Sequence, residues 1–269
     1  MTVSPEPVPG VEVVEPILPA PTVVNPNQPG GRGPRKSEKF GLLLSGGGVK
    51  AWAHVQILKE LQNHKIPIVA VAGVEWGSVV GAVYAQNLSS NEVEWELNKF
   101  RDLDDWGKFV NQVFEKKSVS GMKVPFVCAS LNLKRQSAYM LNRGQLDQLI
   151  PFCLPSAGIL DPFSNGIAAL DHIPALVQHL KASGATKVIA VNVLSQNSQG
   201  VYVKSLNSVE NQMWQMASQS MKNVVTDEVI SVSLDNYKVD DFSDRKDIML
   251  LSGSNIAEQV KQIAKKYGF

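Results

Sequence analysis

The sequence predicts an α/β domain, built on a mostly parallel sheet with helices on both faces and preceded by a proline-rich segment. Three observations carry that expectation. Short apolar runs alternate with helical stretches from residue 40 onward, glycine-bounded turns join strands to helices near residues 46 and 75, and nine of the 15 prolines precede residue 38. Strands alternating with helices imply parallel pairing with cover on both faces.

The elements follow in order. Phe40 to Leu44 is an apolar strand, and residues 49–63 place Val55, Leu58 and Leu61 on one face of a helix. Residues 67–72 form a second strand, 77–87 a helix of small residues, and 91–101 another helix, with helical structure continuing to 117. Extended segments at 125–130 and 138–141 precede a helix at 144–150. Helix 172–183, strand 187–193, helix 209–222, strand 228–234 and helix 254–267 complete the domain, which runs from 39 to 269. Residues 1–38 form a separate linker, because proline fixes φ and donates no backbone hydrogen bond. Glu6, Glu12 and Glu15 occupy its first half and Arg32, Arg35 and Lys36 its end, with Lys39 just beyond it.

Composition narrows the function. At 269 residues and 44% hydrophobic content the chain can bury one large core. With 26 basic and 25 acidic residues the formal charge is +1, which gives no electrostatic reason for a nucleic-acid partner. Cys128 and Cys153 form no CxxC and lie near no histidine cluster, so neither a metal nor a cofactor is expected. Two buried free thiols are expected rather than a bridge. No apolar run approaches the roughly 18 residues that a transmembrane helix needs, so no membrane span is expected, nor, from the opening residues, a secretory leader.

Two tandem turns carry the chemistry. The first runs Ser45-Gly46-Gly47-Gly48-Val49-Lys50-Ala51 between a strand and a helix, where converging backbone N–H groups suit an anion. It also satisfies the dinucleotide pattern through Gly46, Gly48 and Ala51, but no acidic residue ends the next strand at the required offset. The second is Gly73-Val74-Glu75-Trp76-Gly77, the frame of a nucleophile elbow with a carboxylate where the serine belongs.

The two turns, followed by the segments 151–163, 173–175 and 184–193, resemble the patatin-like phospholipase family in order and spacing across residues 40–265. The resemblance implies a three-layer patatin-like fold and calcium-independent hydrolysis of phospholipid acyl esters. It also implies an oxyanion hole at Gly46, Gly47, Gly48, Val49 and Lys50, and an elbow at Gly73, Trp76 and Gly77. Glu75 stands at the nucleophile position, with Trp76 in place of a small residue. The acid position falls on Asn165 or Gly166, so neither member of the Ser-Asp dyad is expected. Asp161 and Asp171 flank that gap.

From these departures Glu75 is expected to occupy the oxyanion hole as an internal anion, with a low pKa set by the glycine amides. Projection into solvent is the alternative. Ser78 is read as part of the first helical turn, and His54 as a packed core residue. A further serine set against a carboxylate or imidazole and facing the glycine amides would instead make the protein a catalyst. The expected function is a catalytically inactive binding or scaffolding module for a protein partner, engaged through residues 1–38. Alternatives are a lipid- or fatty-acid-binding protein and an acyl hydrolase with an unorthodox catalytic group. A lipid or membrane surface stays open as a partner. Bacterial lipoproteins often carry such a linker, so a tethered or periplasmic envelope location and a cytoplasmic one both remain open.

Overall fold

Phe40–Leu44 is buried along its whole length, as a strand covered on both faces must be. Its alternate side chains enter two different cores. Phe40, Leu42 and Leu44 join one apolar cluster and Leu43 joins the other. The computed structural model describes residues 38–194, 203–251 and 254–269. Apart from Glu38, the segment expected to act as a linker and partner contact therefore lies outside the described residues.

Strands β1 (Phe40–Leu44), β2 (Ile68–Gly73), β3 (Phe126–Asn132), β4 (Ser137–Leu141), β5 (Gly166–Ala168), β6 (Lys187–Asn192) and β7 (Glu228–Ser231) form one seven-stranded sheet. The order is β4-β3-β2-β1-β6-β7, with β5 pairing to β3. The β2–β1, β1–β6, β6–β7 and β2–β3 pairs are parallel, and β4 and β5 join β3 antiparallel. The helices are α1 (His54–Asn63), α2 (Trp76–Asn87), α3 (Ser90–Leu97), α4 (Trp106–Phe114), α5 (Leu146–Cys153), α6 (Ile173–Ala182), α7 (Ser208–Lys222), α8 (Arg245–Met249) and α9 (Ser254–Tyr267). Side chains of α6 and α7 fill one core, and those of α1 to α5, α8 and α9 fill the other. This is the α/β architecture that the sequence predicts. Among the described residues no helix is long and apolar enough to cross a membrane.

Local chemistry sets the ends. Asn207 and Glu210 close a reciprocal capping box at the start of α7, and Ser89 caps α3. The expected helix from residue 49 opens instead as a 3-10 turn over Gly48–Ala53, because the glycine loop winds straight into it. The expected helix 91–101 stops at Leu97, where single-turn bonds at Lys99 and Phe100 carry the Phe100 ring into the core. Neither β5 nor α8 is foreseen by periodicity, since three and five residues are too short to show one.

The expectation of two free thiols is overturned. Cys128 of β3 and Cys153 at the end of α5 are bonded, with their Cα atoms 6.1 Å apart. Pairing between a strand and a distant helix leaves no local spacing signal. Cross-linking closes a loop across 25 residues, which limits the unfolded chain by about 3 kcal/mol. Replacing both cysteines with alanine is therefore expected to lower unfolding free energy by about that amount in denaturant titration, with reduced wild-type protein matching the variant.

Candidate functional site

The elbow sits between β2 and α2. Glu75 has φ 52° and ψ −128°, a left-handed conformation that a side chain adopts only under constraint. The Ser78 amide and hydroxyl both donate to the Glu75 carbonyl, at 2.8 and 2.5 Å, and turn the chain into α2. Gly77 lets this turn lie on the end of β1, because a Cβ there would stand 2.4 Å from the Ser45 carbonyl oxygen.

The glycine loop faces the elbow. His54 Nε2 lies 2.9 Å from the Ser45 carbonyl. Burial pushes the His54 imidazole down to about 4 despite that bond, so the ring is neutral and Nε2 donates. Ser45 Oγ accepts from the Val193 amide at 3.1 Å, tying the loop to the end of β6. Gly47 and Gly48 then present their amides to Glu75 Oε2, at 3.0 and 2.9 Å. Gly48 has φ 56°, and a Cβ on it would stand 1.9 Å from the Val239 carbonyl oxygen. That carbonyl accepts the Val49 amide at 3.0 Å, while the Lys50 amide bonds Gly47. Every loop amide from Gly47 to Lys50 therefore has an acceptor within the protein.

Glu75 is fully buried. Its second oxygen, Oε1, accepts from Ser156 Oγ at 3.0 Å. Ser156 lies just past the disulfide, on a strap that continues to Ile159 and Phe163. Strap geometry is held by Ala168 N donating to the Pro155 carbonyl at 2.7 Å and Trp214 Nε1 donating to the Ala157 carbonyl at 3.0 Å. No single segment of sequence could pair Ser156 with Glu75, 81 residues earlier. Its only local signal is the Pro-Ser-Ala-Gly turn.

Desolvation dominates the electrostatics. It pushes the Glu75 carboxyl up from 4.5 to about 7, against the pull of the Trp76, Gly47 and Gly48 amides and of Ser156. The expectation of a low pKa is overturned, because burial outweighs four donors. Lys50 is also buried and donates to the Leu194 carbonyl at 3.0 Å. Burial lowers its amine to about 8, opposed by Asp235. The Trp76 ring packs into an aromatic cluster with Trp52 (5.0 Å), Phe100 (5.1 Å) and Phe242 (5.4 Å) between ring centres.

The two acid-position candidates lie elsewhere. Asn165 is exposed, and Gly166 packs toward Phe152, Phe163 and Ser130. Asp161 and Asp171 are also exposed. Among the described residues no group of three or more His, Cys, Asp or Glu side chains is placed to hold a metal ion.

The match to known proteins now has its geometry. The model of the patatin-like phospholipases covers residues 42–249. The chain belongs to the patatin-like phospholipase family. Among similar proteins, the lysophospholipase NTE1 of Debaryomyces hansenii is 25% identical over 184 residues, covering 58% of this chain and 12% of that protein. The NTE1 of Meyerozyma guilliermondii is 27% identical over the same length, with 58% and 13% covered. The Aspergillus niger lysophospholipase is 27% identical over 194 residues, with 62% and 13% covered. The match thus spans only 12–13% of the length of these fungal relatives.

Glu75→Gln tests the ionisation. Its amide carbonyl still accepts from the glycine amides and its nitrogen donates to Ser156. A carboxyl raised from 4.5 to about 7 stabilises the fold fully below the lower value and loses that contribution as pH rises through the upper one. The variant should therefore gain about 3 kcal/mol relative to wild type across that window, measured by urea unfolding at each pH. His54 titrates in the opposite sense but in both proteins, so it cancels in the difference. A difference that stays constant with pH would mean that folding leaves the Glu75 carboxyl at its ordinary pKa.

Proposed function

We propose that this domain is a catalytically inactive patatin-like module that serves in binding or scaffolding. One observation carries the reading: the Glu75 carboxylate accepts both the Gly47 and Gly48 amides. In acyl transfer those donors stabilise the developing oxyanion, and their worth depends on standing ready for it. Here a side chain of the same chain holds them. The hydroxyl that attacks an ester is missing from the elbow, and the strap and the Val239 segment lie across the loop.

A second reading has its own observation. Ser156 Oγ touches Glu75 Oε1 at 3.0 Å, so a hydroxyl and a carboxylate of raised pKa do meet. The curated relatives are named lysophospholipases, and a hydrolase using Ser156 with Glu75 as base would share their class. Against it, both side chains are buried, and Glu75 cannot serve as base while it fills the oxyanion site. A patatin-like lipid- or fatty-acid-binding protein is disfavoured by the same occupancy, since a fatty carboxylate would compete with Glu75 for its amides.

Full-chain protein should neither hydrolyse p-nitrophenyl esters or lysophospholipid above background nor take up a fluorophosphonate label. Hydrolysis at enzymatic rates that Ser156→Ala abolishes would overturn the inactive reading in favour of the Ser156–Glu75 pair. Fatty acid co-purifying with the protein at one equivalent, identified by mass spectrometry, would favour the lipid-binding reading.

A further inference from the structure

The strap that holds Glu75 has an outer face. There it forms, with the loop before α4 and the first turn of α7, an open groove of about 600 Å³. Volumes of roughly 300–1,000 Å³ suit a small ligand or a few residues of peptide. Ile159 is its link to the site, since a Cβ on Gly48 would stand 2.8 Å from Ile159 Cδ1. Trp106 and Phe163 form two of its walls, meeting edge-to-face at 6.2 Å between ring centres. Asp104, Asp161 and Glu210 line it, and among the described residues no lysine, arginine or histidine does. Asp104 and Asp161 are exposed on the rim. Glu210 spends one oxygen on the Asn207 amide at 2.8 Å.

We infer that this groove docks an extended, arginine- and lysine-bearing segment of a partner protein. Charge complementarity argues for it. Three carboxylates in a groove that no described basic residue lines form a local acidic field on a chain whose formal charge is only +1. Guanidinium groups fit such a surface twice over. They bond carboxylates in a fork and lie against aromatic faces. An anionic ligand meets repulsion here, and an apolar chain would leave the carboxylates desolvated and unpaired. The inference names the partner class of the proposed binding module. It does not depend on the site's being inert, because peptide binding and ester hydrolysis are separate measurements.

The probe is a fluorescent peptide copying residues 31–36 of this chain, Gly-Arg-Gly-Pro-Arg-Lys, followed by anisotropy against the full chain. Saturable binding that weakens with added salt is expected. Asp104→Asn with Asp161→Asn, both exposed changes that keep shape, should weaken it by about tenfold or more. Binding should be unchanged in a full chain carrying Arg32→Ala, Arg35→Ala and Lys36→Ala. Four results would overturn the proposal. These are no saturable binding to any of the three proteins, affinity indifferent to the two asparagine changes, and tetramethylammonium displacing the peptide, which marks a small-cation site. The fourth is markedly tighter binding to the triple-alanine chain, which shows that the chain's own basic run is the occupant.

Discussion

A buried carboxylate set against two glycine amides organises the centre of this molecule. Glu75 reaches that position because the elbow holds its backbone at a positive φ, aiming the side chain off the end of β2 toward the loop after β1. The loop in turn needs an acceptor there. Amides gathered at a strand-to-helix turn and shut away from water are costly to leave unmatched. Acceptor and donors therefore stabilise each other's strained geometry, and the ends of β1 and β2 are fixed together.

The covers follow from that centre. Ser156 completes the carboxylate, and the strap bearing it is anchored by the disulfide at Cys153 on one side and by the Trp214 bond on the other. The Val239 carbonyl closes against Gly48, which a side chain at that position would prevent. Next in sequence to the carboxylate, Trp76 joins Trp52, Phe100 and Phe242 in close-packed aromatic contact. One dipeptide thus supplies both a polar plug for the glycine loop and an apolar anchor in the aromatic cluster. Desolvation raises the carboxyl toward neutral pH, so the same burial that seals the site makes its charge state sensitive to pH.

Alternation of apolar runs and amphipathic stretches already contained the parallel sheet and its cover, because strand and helix periods are local properties of the chain. The elbow was legible for the same reason. Gly73 and Gly77 lie four residues apart and mark a turn by composition alone. Short elements such as β5 were not legible, having no room for a period. Neither was the pairing of Cys128 with Cys153, which depends on where α5 lands beside β3.

What the sequence by itself determined is the frame: an α/β domain with a glycine loop, an elbow, and a carboxylate in place of a hydroxyl. Tertiary structure alone decided what that carboxylate does. Its partners Gly47, Gly48 and Ser156 come from segments 27 to 81 residues away. Its protonation depends on how completely those segments exclude water. Hydrogen bonding and desolvation act through space with opposite signs, and their balance exists only once the chain has closed around the group.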